Sequence, residues 1–375
     1  MQNMTKICNV TMHYSPVVGG QEIYIRNLNK ILSKNNFNVS VLQRYTNHRT
    51  KSNTKIYFTS KIFRYLQFLL HPLIYNSGWF IFNFSLYFYR KILKAHDIIL
   101  CHYPFHYPPI NWHKKVLIIS HGVLWSNKPK TLFDIYHKKV SKDLLNKNVF
   151  IVANDTHFLR EIGYKIEPST GFFTEVIKNV WFIPNCVDTD VFKKNDSITK
   201  EKIILVPRNI RLDRGIHLAI EAFSIFEKNN TDFKMLIVGS GSGKYYNFCL
   251  KLVSDHKLEE KIIFVKHANH DEMVNFYNRS LVTLIPSLEK EGTSLSALES
   301  MSCGCATVVT SVAGLLDLPA YKTKLDAGII AEDLDYVVNN SIKIASDQEK
   351  AVLEGFNIGL WEKAWLEIIN EIKNR

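Results

Sequence analysis

Cysteine is sparse in this chain and scattered: Cys8, Cys101, Cys186, Cys249, Cys303 and Cys305 form no paired metal-binding spacing. Structural zinc needs four ligands, and Cys303-Gly304-Cys305 has no second ligand pair nearby, so no metal is expected. His102 and His106 have ligand-like spacing, but Pro104, Pro108 and Pro109 argue against a helix there, and a loop is expected. The segment MQNMTKICNV carries no secretory signal, which makes reduced cytosolic thiols the expectation. An uninterrupted apolar run of about 20 residues, the length of a membrane span, is also missing. The aromatic stretch Tyr65 to Tyr89 comes nearest, and Gln67, His71, Pro72, Asn76 and Asn83 break it. Nor is there a short-period repeat, a dinucleotide GxGxxG spacing or a complete P-loop, since GSGSGK at Gly239 to Lys244 has the wrong spacing and is followed by Tyr245.

What the chain does have is length and apolar content. At 375 residues it exceeds what one core normally serves, and its 46% hydrophobic fraction supports packed domains. The net charge of +12 predicts attraction to anions: nucleic acid, an anionic membrane surface or a phosphorylated substrate. No nucleic-acid-binding module or base-stacking pattern accompanies that charge, so no nucleic-acid partner is expected.

Short apolar runs alternate with longer amphipathic ones, the pattern of parallel sheets wrapped by helices. Strands are expected at Ile7 to Met12, Val39 to Leu42, Ile98 to Cys101, Val116 to Ile119, Phe150 to Val152 and Val180 to Ile183. Beyond them come Ile203 to Val206, Met235 to Val238, Ile262 to Val265, Leu281 to Ile285, Ala306 to Thr310 and Gly328 to Ile330. Intervening helices are expected at Gln21 to Ser33, Gly215 to Phe226, Asp271 to Asn278 and Ser294 to Ser302. KICNVTMHYSPVVGGQEIYIRNL and KIILVPRNIRLDRGIHLAIEAF repeat one plan on either side of the polar stretch Phe192 to Lys202. The expected architecture is α/β, two Rossmann-like domains facing across a cleft: residues 1–192, residues 200–355, and a final helix over 356–375 returning toward the first domain. Core packing explains the tryptophans of that last helix equally well.

The stretch Tyr65 to Tyr89 is unusually aromatic and flanked by Arg64, Arg90, Lys91 and Lys94. It suits either the headgroup level of an anionic membrane or burial within its own domain.

Two carboxylates, Glu291 and Glu299, straddle the point where the strand Leu281 to Ile285 gives way to a helix in PSLEKEGTSLSALESM. A carboxylate can accept bonds from two neighbouring hydroxyls, as on a sugar or ribose, while free helix-start N–H groups near Thr293 and Ser294 suit phosphate oxygens. A helix cap plus a solvated glutamate is the plainer alternative. Arg208 follows the strand Ile203 to Val206, and Arg214 stands at the next helix start, where two guanidinium groups can fork onto a diphosphate. Solvated surface arginines are the alternative there.

In order along the chain, PVVGGQE, SHG at Ser120 to Gly122, IPNCVDTDVF, VPRNIRLDRGIHLAIEAF, VGSGSG and PSLEKEGTSLSALESMSCGCATVVTSVAG resemble the retaining glycosyltransferase family 4, whose members have the GT-B fold. The resemblance implies transfer of a sugar from a nucleotide sugar, a UDP- or GDP-sugar, to an acceptor hydroxyl with retention of configuration. It implies Glu299 as ribose ligand, Glu291 against the donor sugar, and Arg208 and Arg214 on the diphosphate. It also implies Gly19 and Gly20 in a loop near the phosphates, His121 near the sugar, and Gly239, His267, Ala268, Gly292, Thr293 and Ser294 lining the donor site. Glu291, His121, Arg208 and Arg214 are the implied catalytic set. Asp188-Thr189-Asp190 lies in the interdomain turn, away from that site, so no divalent ion or other cofactor is expected. The aromatic segment adds the expectation of a lipid-linked saccharide acceptor at the cytoplasmic membrane face, as in bacterial surface polysaccharide assembly (capsule, O-antigen or exopolysaccharide). A non-catalytic nucleotide-sugar-binding or membrane-associated scaffold of the same fold is the rival.

Three departures stand out. Pro207 and Cys186 replace glycines usual in the family, and Ala313-Gly314 stands where two glycines are usual. A positive φ at Cys186 would be strained.

Overall fold

Eleven of the twelve expected strands form, and the reason is burial on both faces: runs such as Ile98–His102, Val116–Ser120 and Ala306–Thr310 are buried at every position. The computed structural model describes residues 4–16, 19–47, 52–74, 76–126, 131–170 and 173–375. Val17, Val18 and Tyr75, which belong to two of the stretches singled out above, lie outside them. The chain divides into two units: unit 1 comprises Met1–Glu167, Phe173–Ile183 and Trp361–Arg375, and unit 2 comprises Pro168–Phe172 and Pro184–Leu360. The polar stretch Phe192 to Lys202 falls inside unit 2.

Unit 1 holds β1 (Lys6–Thr11), β2 (Asn38–Gln43), β3 (Lys55–Phe58), β4 (Ile98–His102), β5 (Val116–Ser120), β6 (Phe150–Ala153), β7 (Thr174–Ile177) and β8 (Val180–Phe182). They form one sheet in the order β3-β2-β1-β4-β5-β6-β8-β7, parallel except for the β7–β8 pair. Unit 2 holds β9 (Glu201–Val206), β10 (Lys234–Val238), β11 (Ile262–Val265), β12 (Ser280–Ile285), β13 (Ala306–Thr310) and β14 (Tyr321–Thr323), in the all-parallel order β11-β10-β9-β12-β13-β14. Among its parallel strands each sheet reverses order once, between β1 and β4 and between β9 and β12. Such switch points open a crevice at the carboxyl ends of the strands, which positions a ligand site.

The residues Gly328 to Ile330, expected as a strand, belong to helix Ala327–Asn339. The Asp326 side chain accepts from Ile329 N–H at 3.0 Å and caps that helix, and Ile330, Ala331, Leu334 and Val337 then bury a helical stripe. The strands that were not foreseen, β3, β7 and β14, all lie at sheet edges, where one flank is unpaired and the apolar run is short. The His102 to His106 tract is the end of β4 followed by a short 3-10 turn, Pro104–His106, with both imidazoles buried.

Trp361 and Trp365 of the closing helix Ile358–Asn374 are buried in unit 1, edge-on to Tyr24 at 5.0 and 6.2 Å. Asn35 bonds Glu362 at 2.9 Å, and Lys115 Nζ bonds the Lys373 carbonyl at 2.7 Å, fixing both ends of that segment.

The aromatic stretch folds as two helices, Lys61–Leu70 and Ser77–Leu86, which differ in burial. The second buries Phe82, Asn83 and Leu86, and Asn83 bridges the Phe105 carbonyl and His106, each at 2.6 Å. The first buries no residue: Phe68 and Leu69 are 62% and 71% exposed. Among the described residues no helix is long and apolar enough to cross a membrane.

Candidate active site

The switch point of the second sheet brings the acidic and basic residues of unit 2 together. Arg208 leaves β9 and the segment Ser287 to Glu291 leaves its neighbour β12, so two stretches distant in sequence emerge side by side. Glu291 forms an ion pair with both arginines: its Oε2 with Arg214 Nη1, and its Oε1 with Arg208 Nη2 at 3.5 Å. Ser287 Oγ donates a further bond to Glu291 Oε2 at 3.1 Å, and Gly314 N–H donates to the Glu291 carbonyl at 2.8 Å. Arg214 pairs with Asp213 as well, Nε to Oδ2 at 3.6 Å, so the two cations sit among carboxylates in a setting with little water to screen them. Burial lowers both guanidinium groups to about 10, which leaves them charged at neutral pH.

Arg208 Nη2 also donates to Ser294 Oγ at 2.7 Å. Ser294 is the N-cap residue of helix Leu295–Ser302, and with its hydroxyl turned to Arg208 it caps no backbone amide. The first-turn amides remain without a side-chain acceptor, beside a buried guanidinium whose Nε has no partner. Thr293 is occupied too: its Oγ1 accepts from Asn185 N–H at 2.8 Å, and the Asn185 amide donates to its carbonyl. Gly292 stands half-buried between these residues.

Glu299 lies one helix face further on. Tyr277 donates to its Oε2 at 3.0 Å, yet burial dominates and raises the carboxyl to about 7. The Arg208 charge opposes that shift, which ties the second carboxylate to the same electrostatic cluster.

Two glycines let this cluster form. Gly215 has a φ of 66°, and a β-carbon there would lie 1.9 Å from the Pro286 carbonyl oxygen, so the turn carrying Arg214 can approach β12 only without a side chain. Gly239 at the end of β10 packs directly on the Arg208 backbone. The loops after β9 and β10 are joined further by Ile210 N–H to the Ser240 carbonyl at 2.8 Å and by Ser240 to Asn209 at 3.0 Å. His267 is exposed, and Ala268 packs against the core cluster that includes Leu298 and Met301.

Unit 1 carries Gly19, Gly20 and His121. Gly19 has extended backbone, and its N–H donates to the Glu22 carboxylate at 2.8 Å at the start of helix Gly20–Lys34. His121, partly exposed after β5, receives its polar contact from below: His102 Nδ1 lies 2.9 Å from its Nε2.

Two of the three departures resolve in different ways. Cys186 is not among the residues with positive φ, so the strain anticipated there is absent. Ala313 does adopt a left-handed φ of 45°, in the turn whose next residue bonds the Glu291 carbonyl. Among the described residues no group of three or more His, Cys, Asp or Glu side chains could hold a metal ion.

Residues 187–346 match the family described as Glycosyl transferases group 1. The chain is 26% identical over 242 residues to N-acetyl-alpha-D-glucosaminyl L-malate synthase of Bacillus anthracis, covering 60% of this chain and 59% of that protein. It is also similar to sucrose-phosphate synthase from Thermosynechococcus elongatus, with a TM-score of 0.77 over 99% of this chain and 98% of the other at 18% identity. Residues 187–346 are a group 1 glycosyltransferase domain, and the chain has the GT-B fold. A second relative of the chain is lipopolysaccharide 1,2-N-acetylglucosaminetransferase of Salmonella typhimurium, 23% identical over 52% of this chain and 56% of that enzyme. The matches span under two thirds of the length of either curated relative.

Sequence reasoning did not find Tyr277, Asn185 or Ser287. Ser287 and Asn185 stand inside motifs already singled out, whereas Tyr277 sits in an ordinary amphipathic helix and carries no local signal.

Proposed function

We propose that this chain is a group 1 glycosyltransferase that moves a sugar from a UDP- or GDP-sugar to an acceptor hydroxyl with retention of configuration. The observation that carries the reading is Glu291 held against two arginines beside an uncapped helix start. The two guanidinium groups and the uncapped helix start suit a diphosphate, and fixed positive groups lower the barrier as that leaving group gains charge. Arg208 and Arg214 take the diphosphate, Glu291 a hydroxyl of the donor sugar and Glu299 the ribose. Gly239, His267, Ala268, Gly292, Thr293 and Ser294 line the donor in unit 2, while for unit 1 the family resemblance assigns Gly19 and Gly20 to phosphates and His121 to a sugar. The bond from the anomeric carbon to the diphosphate breaks, the acceptor oxygen bonds the same face, and its proton passes to the departing diphosphate. With the arginines meeting the developing charge, no divalent ion is required.

The acceptor in this reading is a lipid-linked saccharide in bacterial surface polysaccharide assembly. The lipopolysaccharide enzyme among the relatives supports it, as does the exposed apolar helix Lys61–Leu70 with Lys61 and Arg64 on it. Nucleotide release and glycosyl transfer measured with EDTA present, for the wild-type chain and for Glu291→Ala and Arg208→Ala, test the enzymatic reading. Each substitution is expected to slow transfer by about 100-fold or more, and full activity in both would overturn the assignment.

A further inference from the structure

A buried polar chain runs through the first sheet and ends at His121. Asn9 on β1 and His102 on β4 are both fully buried. Asn9 Nδ2 donates to Asn29 Oδ1 at 2.9 Å and lies 3.4 Å from the Ser40 carbonyl oxygen. Both of those partners are acceptors, so the amide nitrogen must face them and Asn9 Oδ1 is left for His102. His102 Nε2 sits 2.9 Å from that oxygen and therefore carries the proton. A neutral imidazole has one N–H, so His102 Nδ1 is a bare acceptor, and His121 Nε2, 2.9 Å away, must donate to it. His121 Nδ1 is then a bare acceptor as well. It has no protein partner among the described residues, and its ring is the partly exposed end of the chain.

We propose that Asn9 and His102 are positioning residues that lock His121 in the neutral Nε2–H tautomer, so that its Nδ1 can only accept a hydrogen bond and recognises a hydroxyl rather than a phosphate or carboxylate oxygen. The tautomer follows from unit 1 alone, whereas the ligand class rests on the proposed reading of His121 as a sugar contact. Burial supports the neutral state, since it lowers His121 to about 3 and His102 well below the ordinary imidazole range. Tyr24 and Tyr103, edge-on to His121 at 4.8 and 5.2 Å, hold the ring at a fixed angle. A proton on Nδ1 would abolish acceptance and make the ring a donor to anions.

Long-range proton–nitrogen spectra of the full chain with labelled histidine test the lock. In the wild type at neutral pH, His121 is expected to show one protonated nitrogen, Nε2, and one bare nitrogen, Nδ1, without tautomer averaging. Asn9→Asp places a carboxylate against His102 Nε2 and draws a second proton onto His102, whose Nδ1–H then donates to His121 Nε2. The His121 pattern should invert, and kcat/KM for glycosyl transfer should fall at least about tenfold, equivalent to about 1.4 kcal/mol. His102→Asn, whose amide oxygen stands where Nδ1 stood, should keep the wild-type pattern and turnover within a few-fold. His102→Leu should give a mixture. An averaged or cationic His121 in the wild type overturns the proposal, as does an unaltered pattern in folded Asn9→Asp. If Asn9→Asp does not fold, the wild-type spectrum decides. An inverted pattern with no sugar transfer from any nucleotide sugar, wild type included, would leave the lock standing and remove the proposed function instead.

Discussion

Gly239 lies so close to the Arg208 backbone that an added β-carbon would sit 2.3 Å from the Arg208 carbonyl oxygen. The glycine of the VGSGSG loop therefore has a role independent of ligand approach: it fixes the strand end from which Arg208 reaches Glu291 and Ser294. Gly239→Ala forces two backbones apart, since the contact is main chain and cannot swing aside. The expected result is a loss of about 1–3 kcal/mol in urea unfolding together with weakened UDP or GDP binding. Titration calorimetry beside the unfolding curve checks both, and an unchanged affinity would show that Arg208 does not depend on this contact.

As the proposed ribose ligand, Glu299 should make stability and ligand binding respond to pH in opposite directions. Its carboxyl is raised from 4.5 to about 7 in the folded protein, so the native state holds a proton that the unfolded chain releases earlier. That contribution is fully present below about pH 4.5 and is lost as pH rises through about 7, a change on the order of 3 kcal/mol. Nucleotide affinity should instead rise over the same interval, because only the ionised form accepts from both ribose hydroxyls. Unfolding curves between pH 5 and 8 and UDP and GDP titrations, each compared with Glu299→Gln, measure the two slopes, and the substitution should flatten both.

Ala313 pays for a left-handed backbone, at φ 45°, beside the amide that holds the Glu291 carbonyl. An L-residue there costs about 1–2 kcal/mol, while glycine loses about 0.4–1 kcal/mol through the unfolded chain. Ala313→Gly should therefore leave stability unchanged or raise it by up to about 1.6 kcal/mol, contrary to the usual effect of glycine. Chemical denaturation reads this directly.

Phe68 and Leu69 extend from a helix that buries none of its residues, and Arg64 lies over the Phe68 ring at 5.8 Å. Phe68→Asp and Leu69→Asp should each reduce partitioning onto vesicles rich in phosphatidylglycerol by about tenfold or more, without changing the melting temperature. Cosedimentation checks it, and equal retention of the substituted chains would remove the membrane contact from the functional reading.

The reach of sequence reasoning followed the range of the forces involved. Central strands such as β4 and β12 were legible because each buries a continuous apolar run, a local property. The edges β3, β7 and β14 lacked that run, and Gly328 to Ile330 looked like one more strand until the cap at Asp326 and a buried helical stripe claimed it. Glu291, Glu299, Arg208 and Arg214 were picked out by residue type near strand ends. Tyr277, the partner of Glu299, was not, because it looks ordinary in its own segment.

By itself the amino-acid order determined two α/β halves, the positions of nearly all inner strands and the charged residues at their carboxyl ends, since period, apolar content and turn chemistry act over a few residues. Only the tertiary structure decided that Glu291 would bind both arginines, that Tyr277 would meet Glu299, and that Asn9 and His102 would fix the proton on His121. Those contacts join segments brought side by side by the strand order of each sheet, and hydrogen-bond direction is set only when donor and acceptor are within reach.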